Sequence, residues 1–301
     1  MKNINSISEK HLMLSLKEPL HPLVSVIRIA DVRVAQDAVW EHFSLDFYCI
    51  SLKRNVGGKM KYGQRYYDHD KGIMTFVAPK QVFSFDTPPV YDTGSSAGYA
   101  LFFHPDFLYG HPLAATIKNY GFFSYTLNEA LHLSEKEEMD IEDIFLKINE
   151  QLQHIDKHTQ NIVLSQIELL LNFSSRFYER QFITRKTINH DVLAKMEQLL
   201  DSYFKQEKSS KEGLPSVEYF AGQLNLSSHY LSDLLRSLTG QSAQQHIQAK
   251  LIEKAKEYLS ASNLSVAEIA YYLGFEYPQS FNKLFKKKTS QSPLEFRHQF
   301  K

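Results

Sequence analysis

The stretch Ser265–Lys288 reads SVAEIAYYLGFEYPQSFNKLFKKK and decides the fold of the C-terminal part of the chain. Ser265 is followed three residues later by Glu268, a capping box that predicts the start of a helix. Gly274 predicts the end of that helix, because glycine adopts the left-handed conformation at a helix C-terminus at the lowest cost. Pro278 suits the first turn of a second helix. The stretch therefore predicts a helix-turn-helix.

The second of these helices has an apolar stripe and a polar face. Phe281, Leu284 and Phe285 recur at helical spacing, and polar or basic residues fill the remaining positions. Such a face has the side chains to read the major groove of DNA. The alternative for the run Lys286–Lys288 is a face that is only solvated.

The same pattern occurs earlier in the chain. VEYFAGQLNL from Val217 aligns with VAEIAYYLGF from Val266, and LSDLLRSLTGQS from Leu231 aligns with FNKLFKKKTSQS from Phe281. One residue is inserted between the two blocks. An internal repeat is much less frequent by chance than a lone motif, so two helix-turn-helix units are predicted.

Capping residues predict the limits of the helices in and after the first unit. Ser227 or Ser228 is expected to cap the first recognition helix, and Gly240 to end it. A longer helix is expected from Ser242, joining the two units. Its apolar residues recur every four positions: Ile247, Leu251, Ala255 and Leu259.

Several motifs in residues 190–301 form one pattern, namely LNLS from Leu224, LSDLLR from Leu231, TGQS from Thr239, IAYYLGF from Ile269, FNKLFKK from Phe281, and Ser292-Pro293 before Phe296-Arg297. Together they resemble the DNA-binding domain of the AraC/XylS family of transcription regulators. The resemblance implies an all-α domain whose two recognition helices enter successive major grooves on one face of DNA. By position, the implied base-facing residues are His229, Tyr230, Ser232, Asp233, Arg236, Pro278, Gln279, Ser280, Asn282 and Lys283. Lys286 and Lys287, on the basic face of the same helix, complete the predicted DNA-binding set.

Three positions depart from the family pattern. Asp233 and Lys283 stand where the family often has arginine. The carboxylate of Asp233 repels phosphate, although it can accept from a cytosine amino group. Lys283 lacks the two parallel hydrogen bonds that an arginine guanidinium can donate. Ser290 replaces the usual glycine after the last recognition helix, at a modest conformational cost. None of these departures breaks the motif.

The composition is that of an ordinary globular protein. The chain has 301 residues, of which 43% are hydrophobic and 23% charged, and no apolar run reaches the length of a membrane span. The single cysteine, Cys49, suits a reducing cytoplasm, and no signal core is evident at the start. Residues 184–301 carry 16 Lys and Arg against 12 Asp and Glu, so the rest of the chain is net acidic. A basic C-terminal part fits DNA binding.

Residues 1–183 are expected to form an α+β sensor and dimerisation domain, and residues 184–301 the DNA-binding domain. Short strand candidates follow one another from Val24 to Phe103, broken by Gly and Pro. They predict a small antiparallel barrel, compatible with the cupin-like sensor domains of the family. Glu207–Gly213 is expected to be a mobile loop, and the polar run from Arg185 to Asn189 the interdomain linker.

No metal site is expected in the N-terminal part, because its histidines never form a His-x-His pair. An effector pocket lined by aromatic residues with an arginine anchor is one interpretation, and a simple apolar core is the other. The ligand candidates are Tyr48, Arg54, Arg65, Phe76 and Tyr99. No cofactor is implied.

Two helices are predicted after the strands. Ser134 is expected to cap the first, with acids in its first turn. The second, over Thr159–Arg180, has a wide apolar stripe that is hydrophobic nearly all round at Leu169–Leu171, and must bury two sides. One side is expected to face the barrel and the other a partner subunit, the alternative being one thick core. The dimerisation candidates are Ile162, Gln166, Leu170 and Leu171.

The sequence therefore predicts a cytoplasmic, sequence-specific DNA-binding regulator. We expect a homodimeric activator that binds double-stranded DNA, contacts RNA polymerase and responds to a small-molecule effector. An enzyme or alkyl-transfer repair protein fused to this DNA domain is an alternative, but that chemistry needs a reactive cysteine, and Cys49 has no partner cysteine. A helix-turn-helix module that binds protein instead of DNA is a further alternative.

Overall fold

The computed structural model divides the chain into two compact units, Met1–Gln181 and Phe182–Lys301. The residues that the structure describes are 2–33, 43–54, 61–62, 65–66, 72–83, 97–126, 129–184 and 186–300. Within them, no helix is long and apolar enough to cross a membrane.

The N-terminal unit contains short strands arranged in sheets. Its main sheet is antiparallel, with five strands in the order β10-β7-β4-β9-β2, and a smaller sheet has the order β1-β3-β8. In the main sheet, Ile50 lies opposite both Phe76 and Leu101, and all three side chains are buried. The strands are β1 Lys2–Ile4, β2 Val24–Arg28, β3 Phe43–Leu45, β4 Tyr48–Arg54, β5 Lys61–Tyr62, β6 Arg65–Tyr66, β7 Ile73–Val77, β8 Val82–Phe83, β9 Ala97–Phe103 and β10 Leu131–His132.

The expected cupin-like barrel is not closed in the part of the chain that the structure describes. Strands β2 and β10 are the two edges of the main sheet, and they do not pair with each other there. Strands β1, β3 and β8 form a separate sheet. The alternation of short strands predicted antiparallel pairing correctly, but closure depends on how edges meet, which is not a property of any single strand.

Helices cover part of the sheet in this unit. They are α1 Ile7–Met13, α2 Leu113–Thr116, α3 Glu135–Gln153 and α4 Thr159–Thr184. Helix α3 begins at the predicted cap, where the Ser134 hydroxyl accepts from the Glu137 amide and the Glu137 carboxylate accepts from the Ser134 amide. Near the end of α4, the Gln181 carboxamide accepts from the His132 amide at 2.8 Å and donates to the Ala130 carbonyl. A side chain thus satisfies backbone groups beside β10.

Two of the dimerisation candidates are core residues. Leu170 and Leu171 in α4 are both 0% exposed within the chain, whereas Ile162 is 40% exposed and Gln166 is half-buried. Both leucines are therefore covered within the folded chain. Neither side chain is accessible to a partner subunit while the chain is folded.

The C-terminal unit is helical throughout its described length. Its helices are α5 Lys186–Lys205, α6 Lys208–Glu212, α7 Val217–Gln223, α8 Ser228–Thr239, α9 Ala243–Ala261, α10 Val266–Tyr272, α11 Pro278–Thr289 and α12 Pro293–Arg297. The run expected as a linker is helical from Lys186 onward, and the expected mobile loop contains α6. The stripe predicted for α9, from Ile247 to Leu259, is buried at all four positions.

Candidate nucleic-acid interface

Helices α7 and α8 form one helix-turn-helix, and α10 and α11 form a second. In the first, Ser227 rather than Ser228 is the cap of α8, since its hydroxyl accepts from the Tyr230 amide at 3.2 Å. In the second, Ser265 and Glu268 form the predicted capping box at the start of α10. Pro278 occupies the first turn of α11, which has no side-chain cap.

The two recognition helices, α8 and α11, end in the same way. Thr239 closes α8 by donating to the Leu235 carbonyl at 2.8 Å, and Thr289 closes α11 by donating to the Phe285 carbonyl at the same distance. The residue after each threonine is left-handed, with φ 76° at Gly240 and 62° at Ser290. Serine at the second position bears the conformational cost expected from the sequence. The sequence repeat is therefore a structural repeat.

Most of the predicted DNA-binding residues are at the surface. The exposed ones are His229, Arg236, Gln279, Ser280, Asn282, Lys283, Lys286 and Lys287, and Ser232, Asp233 and Pro278 are half-buried. On the opposite side of α11, Phe281 and Phe285 are buried. The second recognition helix thus separates an apolar side, which holds the fold, from a polar side that is free to meet a ligand.

Tyr230 is a correction to the predicted set. Its side chain is 3% exposed, and its ring packs edge-on against that of Phe182 with 5.2 Å between centroids. The two helix-turn-helix units share the same helix geometry. The first of them, however, packs against Phe182 of α4, and the described residues show no equivalent aromatic neighbour from α4 for the second. Tyr230 is therefore a core residue of the C-terminal unit.

The acid at Asp233 is paired within its own helix. Its carboxylate accepts from the Arg236 guanidinium at 2.6 Å. The pair is at the surface, where such a contact contributes little to stability, but it partly neutralises a charge that would otherwise repel phosphate. On α11, Lys283, Lys286 and Lys287 are all exposed. The second recognition helix is therefore the more basic of the two.

The ligand candidates of the N-terminal unit are dispersed. The Tyr48 ring stacks on Phe103 at 4.9 Å, Phe76 is buried, and the Arg54 guanidinium is paired with the carboxylates of Glu138 and Glu142. These three belong to the core or to ion pairs. The side chain of Arg65 lies outside the described residues.

Tyr99 is the ligand candidate that borders a cavity. The cavity has a volume of about 610 Å³ and lies among the residues after α1, strand β2 and helix α3. Polar groups that line it include Arg28, Asp31, Asn149 and Gln153, next to the apolar Leu152. Sequence reasoning missed this site, because its residues come from three separate segments and form no motif.

The described residues show no centre for metal or thiol chemistry. Among them, no group of three or more His, Cys, Asp or Glu side chains is placed to hold a metal ion. Burial raises the pKa of the Cys49 thiol, which disfavours the nucleophilic thiolate.

A family model described as a helix-turn-helix domain matches residues 220–299. The chain is 35% identical over 81 residues to the Msm operon regulatory protein of Streptococcus mutans, covering 27% of this chain and 29% of that one. It is 28% identical over 150 residues to the HTH-type transcriptional activator RhaS of Enterobacter sp., covering 49% and 51%. This chain spans between 10% and 51% of the length of the first relatives that it matches, and the lowest share is that of a histidine kinase of Formosa agariphila.

Solved structures resemble the same part of the chain. The C-terminal domain of AraT, a response regulator from Geobacillus stearothermophilus, is 28% identical with a TM-score of 0.32, and the match covers 36% of this chain and 84% of that one. The C-terminal domain of the response regulator yesN from Fusobacterium nucleatum is 29% identical with a TM-score of 0.30, covering 34% and 96%. These TM-scores are too low to support a conclusion.

The doubled helix-turn-helix, the family model and relatives such as RhaS agree on the class of the C-terminal part, a helix-turn-helix domain of the kind found in transcription regulators. Residues 220–299 are therefore similar to the helix-turn-helix domain of AraC/XylS-type transcription regulators.

The burial of Tyr230 predicts a loss of stability when its ring is removed. Tyr230→Ala should lower the free energy of unfolding by about 3 kcal/mol, as is usual for deletion of a buried aromatic side chain. His229→Ala, next to it and exposed, should change it by no more than about 0.5 kcal/mol. Urea-induced unfolding of the full chain, followed by circular dichroism, measures both. A Tyr230→Ala variant of unchanged stability would show that the ring does not serve as core.

Proposed function

We propose that this protein is a sequence-specific DNA-binding regulator in which α8 and α11 read successive major grooves of one site. The observation that carries the proposal is the division of α11, with phenylalanines buried on one side and Gln279, Lys283 and Lys287 exposed on the other. An amide and an ammonium group four residues apart are suited to base edges in the major groove. Lys287 lies one turn further, where a recognition helix usually meets phosphate.

The proposal predicts different effects for base-reading and phosphate-binding residues. Gln279→Ala and Lys283→Ala should each weaken a selected site by about 1–3 kcal/mol more than random DNA. Lys287→Ala should weaken both DNAs alike and reduce the slope of log affinity against log salt by about 0.9. The site is obtained by selection from random duplexes with the full chain, and affinities are titrated between about 50 and 200 mM salt.

Lys157→Ala is the charge-matched control for the lysine variants, since Lys157 is exposed and belongs to the N-terminal unit; it should bind both DNAs as the wild type does. A flat salt dependence of the wild-type chain would favour the alternative of a protein-binding module. If Gln279→Ala and Lys283→Ala leave the ratio of affinity for the selected site to affinity for random DNA unchanged, these residues do not read bases.

We further propose that the regulator is an activator. Two of its relatives, RhaS and RhaR, are named transcriptional activators, and an activator acts by contacting RNA polymerase at a promoter. Transcription in vitro from a promoter beside the selected site should rise when the chain is added. A fall would make the protein a repressor.

A homodimer contact is proposed on the outer face of α4. Ile162 and Leu169 are seven residues apart on the helix and are 40% and 43% exposed. Between them, Gln166 has a buried side-chain oxygen for which the described residues provide no hydrogen-bond partner. Two exposed apolar side chains on one helix face are what a second helix would cover, whereas the Gln166 oxygen is already covered within the chain.

Charge on this face should dissociate the dimer. Ile162→Glu combined with Leu169→Glu should give a folded monomer by light scattering, because the substituted side chains are at the surface of the monomer and a charge cannot be buried at the contact without a partner. Leu12→Glu is the control, since Leu12 is exposed in α1. A wild-type chain that is monomeric at tens of micromolar would contradict the proposal.

The cavity beside Tyr99 is the proposed effector site. Its volume of about 610 Å³ is typical of small-molecule pockets. Its lining includes a guanidinium, an ammonium group, two carboxylates, two carboxamides and a phenol, and the Arg28 guanidinium is paired with the Asp31 carboxylate. The cavity therefore suits a small polar molecule rich in both donors and acceptors.

A bound effector should stabilise the folded chain in proportion to the logarithm of its concentration above Kd. The thermal midpoint of the full chain is measured against a panel of small polar metabolites. Asn149→Leu should abolish the shift from any such ligand, whereas Asn161→Leu, an exposed residue of α4 away from the cavity, should not. A shift that survives Asn149→Leu would place the ligand elsewhere.

A further inference from the structure

The segment Glu207–Gly213 joins α5 to the first helix-turn-helix in sequence but contacts both helix-turn-helix units in space. We call it the bridging segment. Its middle is the short helix α6 rather than a loop, and it begins at Glu207 with the left-handed φ of 55°. The two units are otherwise connected by α9, which packs against helices of both.

On one side, the bridging segment is fixed to the first unit and to α5. The Lys208 ammonium donates to the Tyr219 hydroxyl of α7 at 3.1 Å. The Tyr203 hydroxyl of α5 donates to the Gly213 carbonyl at 3.0 Å. The Tyr203 and Tyr219 rings meet edge-on with 5.3 Å between centroids. The segment is therefore held near its start by α7 of the first unit and at its end by α5.

On the other side, two hydrogen bonds tie the segment to Tyr272 at the end of α10. The Tyr272 hydroxyl donates to the Glu207 carboxylate at 2.5 Å. This bond is the main reason that the pKa of Tyr272 rises to about 12. The Ser209 hydroxyl, in a residue that is 3% exposed, donates to the Tyr272 carbonyl at 2.9 Å. Both the side chain and the backbone of Tyr272 are thus bound.

The backbone of the segment also contacts the turn of the second unit. A Cβ atom on Gly274 would lie 2.5 Å from the Gly213 carbonyl carbon and 2.7 Å from the Ser209 carbonyl oxygen. The aligned residue of the first unit is Asn225, which adopts a left-handed φ of 55° with an exposed side chain. The turn itself therefore tolerates asparagine, and the close approach of the bridging segment explains why the second turn has glycine.

We propose that the bridging segment sets the position of the second recognition helix relative to the first, with Glu207, Ser209 and Gly274 as positioning residues. The proposal rests on the DNA-binding function proposed above. Helix α9 joins the units at one side, and the segment adds contacts from a second direction, which resists rotation about α9. A fixed separation of the recognition helices would restrict the protein to one spacing between the two half-sites that it reads.

The test uses the full chain and the DNA site selected with it, together with duplexes in which one base pair is added or removed between the half-sites. One base pair rotates one half-site by about a tenth of a turn. The wild-type chain should bind the shifted duplexes at least about tenfold more weakly, a loss comparable with that of a mismatched base. The spacing ratio is the affinity for the selected duplex divided by that for a shifted duplex. In Tyr272→Phe, this ratio should shrink by about threefold or more, because a strong hydrogen bond to a charged group is lost.

Tyr271→Phe is the matched control, since Tyr271 precedes Tyr272 on α10 and is exposed; it should bind all the duplexes as the wild type does. Gly274→Asn is a second variant, which keeps the residue type of the first turn and introduces a side chain where the segment lies. Gly274→Asn should reduce the ratio of affinity for the selected duplex to affinity for the shifted duplexes further than Tyr272→Phe does. A change of general stability alone would weaken binding to every duplex alike and leave the ratio constant, which would overturn the proposal.

A measurement without DNA separates this proposal from the DNA-binding function. Spin labels at Glu218→Cys and Ala267→Cys, exposed positions that the repeat aligns in α7 and α10, report the distance between the two units by pulsed electron paramagnetic resonance. The distribution should be narrow in the otherwise wild-type chain and broader in Tyr272→Phe. An equally narrow distribution in Tyr272→Phe would overturn the proposal. Failure to select any DNA site, with the broadening observed, would instead reject the DNA-binding function.

Discussion

The C-terminal unit depends on the burial of one side of α9. Ile247, Leu251, Ala255 and Leu259 form its stripe, and none of them is more than 4% exposed. Helices α7 and α10 have seven residues each, well below the length at which an isolated helix is stable in water. Each helix-turn-helix therefore obtains its stability from tertiary packing, and α9 is the surface that both share. Two units that could not fold as separate pieces are stable as a pair.

Local features of this unit could be predicted from the sequence. Caps such as Ser265 with Glu268, and the helix ends at Gly240 and Gly274, are decided by residues within a few positions of each other. The repeat strengthened these predictions, because each interpretation of one unit was tested against the other. The apolar stripes of α9 and α11 were likewise evident from their periodicity.

Features that depend on distant packing could not be predicted. Phe182 of α4 covers Tyr230, and other residues of the folded chain cover Leu170 and Leu171. The composition of helix α6, with lysine, serine and glutamate, is polar and predicts a loop, whereas its order comes from contacts with Tyr219 and with Tyr272, which is more distant in sequence. The cavity beside Tyr99 is formed by three segments with no shared motif. In each case, periodicity indicates which side of an element is apolar but not what covers it.

The separation of faces on α11 has an evolutionary consequence. Phe281 and Phe285 hold the helix in place, and none of the exposed residues between and beyond them is needed for that packing. Mutations at Gln279, Asn282 or Lys283 are therefore nearly neutral for folding, so selection on what this face binds can act on them without a penalty in stability. A duplicated gene of this kind can acquire a new binding specificity in single steps, each of which leaves a folded protein.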